Sequence, residues 1–307
     1  MEHYLKGEYG EKTGKGWHDY SEEESGRFSM PEVDLSVIGR KTEPVVFQYT
    51  WKDVVLYALG VGASADELSF VYENAPGGLK VLPSFCVVPA IKAYPYIGEN
   101  IDYSRFLHGE HMIRLSRPIP PEGEIVQVGE VTHIYDKGKA AVYHIQITGE
   151  TREGRHLYDV EWIAFYVGAG GFGGNSGPKS ETVTPPEGVE PDFSISYRVA
   201  ANQAAIYRLS GDLNPLHLDP AAAVRGGFDR PILHGLCTYG FATRAIVTGL
   251  LDGDAARLKE FSARFTDVVY PGDTLTTQGW KNEGQYIIQV KSQRAIVMSN
   301  AVARVEE

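Results

Sequence analysis

A chain of 307 residues, 43% hydrophobic and 22% charged, has ordinary globular composition and room for two domains of about 150 residues each. Its net charge of −11 (29 basic against 40 acidic residues) comes without a basic stripe, which argues against nucleic-acid binding, although a few local cations can still hold a small anion. No apolar run of about 18 residues, no signal peptide and no C-terminal targeting tripeptide is visible, and Cys86 and Cys237 sit singly in apolar runs as reduced, buried thiols, so a cytoplasmic protein without a membrane span is expected.

Residues 1–33 are polar, Gly-dotted and charge-rich and read as an arm outside the folded body. The stretch 50–63, TWKDVVLYALGVGA, predicts a helix with Thr50 as N-cap, ended by Gly60 and Gly62. A second apolar run at 81–94, VLPSFCVVPAIKAY, has helical length, with Pro89 set to kink or end it. Strands follow: 124–138 and 140–151 alternate around Asp-Lys-Gly, a hairpin signal, and 156–167 makes a third before GAGGFGG. That glycine run opens no helix, so a dinucleotide loop is not expected there.

Beyond a Pro/Gly/Glu linker at 176–191 the order restarts, with a strand at 193–200 and a mostly apolar helix of about five turns at 231–251, in which Gly235 and Gly240 are set. Antiparallel strands fill the rest, with KNEG as a turn. A Pro/Gly/acid corner before a strand recurs, PPEGEIVQVGEV at 120–131 and YPGDTLTTQGW at 270–280, a weak internal repeat of roughly 150 residues. The expected fold is therefore α+β, with residues 34–175 and 192–307 as two units, each a long helix wrapped by an antiparallel sheet.

The chemistry concentrates in YRLSGDLNPLH. Gly211 and Pro215 stiffen a turn that can aim Asp212, Asn214 and His217 at one point, while Asp219-Pro220 starts a short helix. An Asp and a His that converge can hold a water, take a proton from it and return one to a substrate; Asn214 would orient both. Gly235 opens the long helix, where free N–H groups can stabilise an oxyanion. The bland alternatives are that Ser210 or Asp212 caps a turn, and that His217 and His234 are structural, His234 bonding a backbone carbonyl. A metal is not expected, since the second half has no H-x3-H or Cys/His cluster, and no G-x-S-x-G elbow marks a nucleophile.

YRLSGDLNPLHLDPAAA and GFDRPILHGLCTYG resemble the signature of the (R)-specific 2-enoyl-CoA hydratases, the hydratase 2 or MaoC-like group. YALGVGASADELSFVYE, LPSFCVV, FLHGEHMIRLSRPIPPEGE and GAGGFGG resemble the amino-terminal repeat of its two-repeat members, so the likeness covers about 40–305. The resemblance implies a double hot-dog fold whose second repeat is catalytic and whose first houses the acyl chain. It implies that Asp212 and His217 hold the catalytic water, that Asn214 positions them, that Gly235 donates to the thioester oxygen and that Glu73 lies near the site. Tyr207, Arg208 and His234 are counted on the substrate side, and Arg225, Arg230, Arg244 and Lys92 as candidates for the coenzyme A phosphates. The implied reaction is reversible hydration of trans-2-enoyl-CoA to (3R)-3-hydroxyacyl-CoA, with an acyl-CoA thioester as ligand, no cofactor and a homodimer. Rival readings are a dehydratase of branched or dicarboxylic acyl-CoAs, a hot-dog thioesterase and a non-catalytic acyl-CoA-binding subunit.

Overall fold

A computed structural model describes residues 32–179 and 182–306. The polar arm expected at 1–33 falls, apart from its last two residues, outside the described residues. The first half runs β1 (Val45–Tyr49), α1 (Trp51–Gly60), α2 (Leu68–Val71), α3 (Val87–Ala90), β2 (Phe106–Leu115), β3 (Gly123–Asp136), β4 (Ala140–Thr151) and β5 (His156–Val167). The second runs β6 (Phe193–Arg198), α4 (Gln203–Tyr207), α5 (Pro220–Arg225), α6 (Gly235–Leu250), β7 (Leu258–Phe265), β8 (Thr274–Asn282), β9 (Gln285–Lys291) and β10 (Ile296–Val305).

Among the described residues ten strands join one sheet in the order β1-β3-β4-β5-β2-β7-β10-β9-β8-β6. Each half repeats the same internal order, and the two meet back to back at β2 and β7, so the chain is an α+β double hot-dog built as a pseudo-dimer. The meeting line has a two-fold character visible in single residues. Across it Met112 faces Ser262, Glu110 faces Arg264 and Arg114 faces Glu260. Ion pairs of 2.6 Å (Arg264–Glu110) and 2.8 Å (Arg114–Glu260) tie the strands on either side of the centre. The same E-x-x-x-R stands at 110–114 and at 260–264, an offset of 260 − 110 = 150, which gives the internal repeat a residue-level basis.

The sequence carries no strand signal over Phe106–Leu115, where β2 forms. A bulge between His108 and Glu110 breaks its period-two pattern, and a side chain at Gly109 would lie 2.2 Å from the Phe165 ring. The first repeat also has no long helix over 81–94. Its apolar run forms three short pieces, a 3-10 turn at Pro83–Cys86, α3, and a second 3-10 turn at Ile91–Ala93. Pro89 has no N–H for a continuous helix, and its carbonyl accepts instead from the buried Gln127 amide at 2.9 Å. The long helix of the second repeat does form, and its residues 236–247 are all buried. Gly240 lets it touch the first repeat, for a Cβ there would lie 2.3 Å from Val61. Helix α1 starts as expected at Thr50, whose N–H and hydroxyl both donate to the Asp53 carboxylate.

The GAGGFGG run is anchored from within the chain. The Asp136 carboxylate accepts from the N–H groups of Gly138, Gly171 and Gly173 at 2.8 Å each. A glycine nest of this kind is an anion site, and here the anion is the protein's own. Those bonds hold the Asp136 carboxyl below its ordinary pKa.

Candidate active site

The segment that follows β6 builds the site from local turn chemistry. Helix α4 passes into a 3-10 turn at Arg208–Ser210, and Gly211 reverses the chain at φ +125°. Asp212 Oδ1 then accepts the Asn214 N–H at 3.1 Å, and Asn214 Oδ1 accepts the Leu216 N–H at 3.0 Å to start a 3-10 turn at Pro215–His217. Asp219 accepts the Ala221 N–H at 2.8 Å and begins α5 with Pro220 at its first position. Capping and site formation are thus one structure. The exposed Asn214 works as a cap, so its positioning of Asp212 runs through its backbone N–H and not through its side-chain amide.

His217 is buried, and its Nδ1 lies 2.9 Å from the Ile232 carbonyl oxygen. A carbonyl only accepts, so Nδ1 carries the proton and Nε2 keeps a lone pair. His234, only 1% exposed, donates from Nε2 to the Asp212 backbone carbonyl at 3.2 Å, and its Nδ1 is buried without a hydrogen-bond partner. The two imidazoles lie 3.8 Å apart at 31°, with Tyr207 4.9 Å behind His234. One oxygen of Asp212 and one nitrogen each of His217 and His234 all fall within 4.8 Å of one another.

Burial sets the charge of this cluster. Desolvation holds His217 below its ordinary pKa, and the Asp212 carboxylate opposes it only in part. His234 is pushed down to about 4, first by burial and then by repulsion from His217. Both rings are neutral at pH 7.

Gly235 is the first residue of α6, directly after His234. The first N–H bonded back to the His234 carbonyl is that of Thr238, at 3.1 Å. Among the described residues no acceptor takes the Gly235 N–H, which is free to meet an oxygen. A Cβ there would lie nearest the Phe265 ring, at an ordinary 3.5 Å. Phe265, at the end of β7, and the Ile232 carbonyl are site-builders that residue types alone did not reveal. Behind Phe265 stand two further histidines of β2, His108 at 5.0 Å and His111, packed against each other and Trp162.

Several sequence-predicted residues lie elsewhere. Arg244 is not available to a phosphate: it is 3% exposed within α6, bonded to the Glu67 carboxylate at 2.8 and 3.1 Å, to the Val61 carbonyl at 3.2 Å, and stacked over Tyr197 at 3.6 Å. It is a strut between the repeats. Glu73 sits on an exposed turn after α2 and accepts from the Asn74 amide; among the described residues no bond joins it to the 208–217 loop. Arg230 is exposed and lies over the Tyr270 ring at 4.5 Å, while Arg225 and Lys92 are exposed. Tyr207 is buried and supports His234, and Arg208 is near enough for its charge to disfavour a protonated His234. Among the described residues no helix is long and apolar enough to cross a membrane.

Comparison with known proteins agrees on both halves. A model of the MaoC like domain matches residues 182–303, and one of the MFE-2 hydratase 2 N-terminal domain matches 47–168. A Dictyostelium discoideum protein named "Probable enoyl-CoA hydratase 2" is 41% identical over 286 residues, covering 89% of this chain and 97% of that one. The Mycobacterium tuberculosis protein "Enoyl-CoA hydratase ChsH3" is 40% identical over 285 residues, covering 88% and 98%. The crystal structure of a MaoC-like dehydratase from Phytophthora capsici superimposes with a TM-score of 0.82 at 29% identity, covering 90% of this chain and 98% of that one.

Proposed function

Because the chain belongs to the MaoC-like hydratase 2 family, we propose a mechanism in which a water held between Asp212 and His217 adds to an enoyl thioester oriented by Gly235. The protein is a hydro-lyase, an (R)-specific enoyl-CoA hydratase that acts reversibly as a 3-hydroxyacyl-CoA dehydratase. The observation that carries the mechanism is a neutral His217 whose Nε2 keeps its lone pair, in a ring with a nitrogen within 4.8 Å of an Asp212 carboxylate oxygen, beside the free N–H of a sixteen-residue helix.

The thioester carbonyl accepts from the Gly235 N–H, which draws electron density from the C2=C3 bond and leaves C3 electrophilic. His217 Nε2 takes a proton from the water as its oxygen bonds to C3, and the Asp212 carboxylate steadies the resulting imidazolium. The π pair passes to an enolate-like oxygen held by Gly235. The same proton is then delivered to C2, so one water is added and both new bonds form from the face that the pair occupies. The bond to Ile232 holds His217 in that tautomer, and the His234 ring packed 3.8 Å away holds its orientation.

This chemistry needs acid–base groups and an oxyanion donor, and we assign it no cofactor. Arg225, Arg230 and Lys92 remain the proposed partners of the coenzyme A phosphates. We further propose a cytoplasmic homodimer, in keeping with the exposed apolar side chains Leu209, Leu213, Leu218 and Val224 around the site loop. The decisive test is incubation with crotonyl-CoA, following loss of the enoyl absorbance together with thiol release. Hydration without free thiol supports the reading; free thiol without hydration would favour a thioesterase instead.

A further inference from the structure

No sequence motif marks a nucleophile, yet the fold assembles one on the outer face of the first repeat's sheet. We infer that Ser116, His156 and Asp159 form a second catalytic site, which hydrolyses small uncharged carboxylic esters. Ser116 Oγ lies 2.7 Å from His156 Nδ1, and His156 Nε2 lies 3.2 Å from Asp159 Oδ2. A carboxylate only accepts, so the neutral ring carries its proton on Nε2, and Nδ1 accepts from the Ser116 hydroxyl. Nucleophile, base and orienting carboxylate are therefore in line, and such a set is defined by geometry and roles rather than by position in the chain. No residue of the 208–217 loop or of α6 belongs to it.

A bulge in β5 builds the arrangement. Gly149 pairs with Tyr158 but Glu150 pairs with His156, so Leu157 is an extra residue. Leu157 and Tyr158 are both buried, and His156 and Asp159, three apart, reach the same face, which a regular strand forbids. Ser116 follows β2, and its N–H donates to the Leu157 carbonyl at 2.9 Å, which ties it beside the bulge. Asp159 is held in turn, for its Oδ1 accepts from the Thr148 hydroxyl at 2.9 Å and the Gln146 amide at 3.3 Å. Arg117, next to the nucleophile, donates from Nε to the His156 carbonyl at 2.8 Å, and its Nη groups have no partner among the described residues. They can meet an oxyanion. Ser116 is exposed, and Asp159 also walls a cavity of about 280 Å³ with Met112, Arg114, Gln146 and Glu161. That volume suits a small ester, and the Asp159 and Glu161 carboxylates repel an anionic one.

In the reaction Ser116 Oγ bonds to the ester carbonyl carbon while its proton passes to His156 Nδ1. The oxyanion so formed faces the Arg117 guanidinium. The carbon–oxygen bond to the alcohol then breaks, and the alcohol leaves with the proton from Nδ1. A water repeats the sequence: Nδ1 takes its proton, its oxygen bonds to the acyl carbon, and the proton returns to Ser116 Oγ as the acid departs.

The test mixes the full-length protein with p-nitrophenyl acetate and follows nitrophenolate release together with protein mass. The expected result is a burst followed by slower turnover, with one acetyl group per chain that peptide mass spectrometry locates on Ser116. Ser116→Ala removes the burst, and His156→Gln slows acylation by about a hundredfold or more, with thermal melts confirming that both variants fold. An acetyl group found only on lysines or the amino terminus, a burst that survives Ser116→Ala, or acylation indifferent to His156→Gln would each overturn the inference. The inference does not rest on the proposed hydration: a protein that acetylates Ser116 and hydrates no enoyl-CoA would count against that reaction and leave this site standing.

Discussion

Gly235→Pro isolates the oxyanion donor with little cost to the fold. Proline is favoured at the first position of a helix, where its missing N–H breaks no helical bond, and Gly235 holds that position in α6. The residue before a proline must be extended, and His234 already is, at φ −57° and ψ 136°. The added side-chain carbon meets Phe265 at 3.5 Å, an ordinary contact. What disappears is one hydrogen-bond donor, and the ring's Cδ occupies its place. Loss of a single oxyanion donor costs about 10²–10³ in kcat, or roughly 3–4 kcal/mol of transition-state stabilisation. Gly235→Ala is the control, since it adds the same first carbon and keeps the N–H; it should stay within about tenfold of the parent. Steady-state hydration of crotonyl-CoA, with a thermal melt of each variant, separates the two effects. If Gly235→Pro folds and matches Gly235→Ala in kcat, the oxyanion role of this N–H is refuted.

Three further outcomes follow from burial and packing. Arg244→Met takes the guanidinium away from the Val61 carbonyl and from the Glu67 carboxylate, which keeps only the Ser64 N–H, and should destabilise by about 3–5 kcal/mol in urea unfolding, because one member of a largely buried ion pair is removed. A selective rise in the KM for acyl-CoA with unchanged stability would return Arg244 to phosphate binding. Gly240→Ala drives a methyl against the fully buried Val61 and should cost about 1–3 kcal/mol by overpacking, read as a lowered Tm; a neutral or raised Tm would show that α6 and the first repeat can separate there. Burial pushes His108 down to about 3 and also depresses His111, so the folded state resists protons that the unfolded chain takes up near pH 6.5. Their contribution is full above pH 6.5 and falls as pH drops towards 3, with a loss of about 2 kcal/mol at pH 5 for His108 alone. Unfolding free energies equal at pH 7.5 and pH 5, in parent and His108→Phe alike, would contradict it.

The catalytic loop was legible in the chain because its logic is local. Gly211, Pro215 and the two caps lie within nine residues of one another, and turn chemistry over that distance survives any tertiary arrangement. The helix bearing Gly235 was legible for its length and apolar run. What stayed hidden depends on distant partners. Arg244 reads as a spare cation until the loop at 61–67 packs over α6 and claims it. His234 reads as a lone histidine until the reversal at Gly211 carries the 212–217 turn onto its ring. The bulge at Gly109 hid β2, and with it the seam where the repeats join. The broken helix at Pro83–Ala93 shows propensity yielding to a proline that the sheet's Gln127 completes.

The most direct test of the central claim is the configuration and rate of product from crotonyl-CoA, by chiral chromatography, for the parent chain and Asp212→Asn. The account predicts (3R)-3-hydroxybutyryl-CoA from the parent and at least a hundredfold slower formation by the variant, which keeps the side-chain shape and loses the charge. A (3S) product, or a variant as fast as its parent, would contradict it.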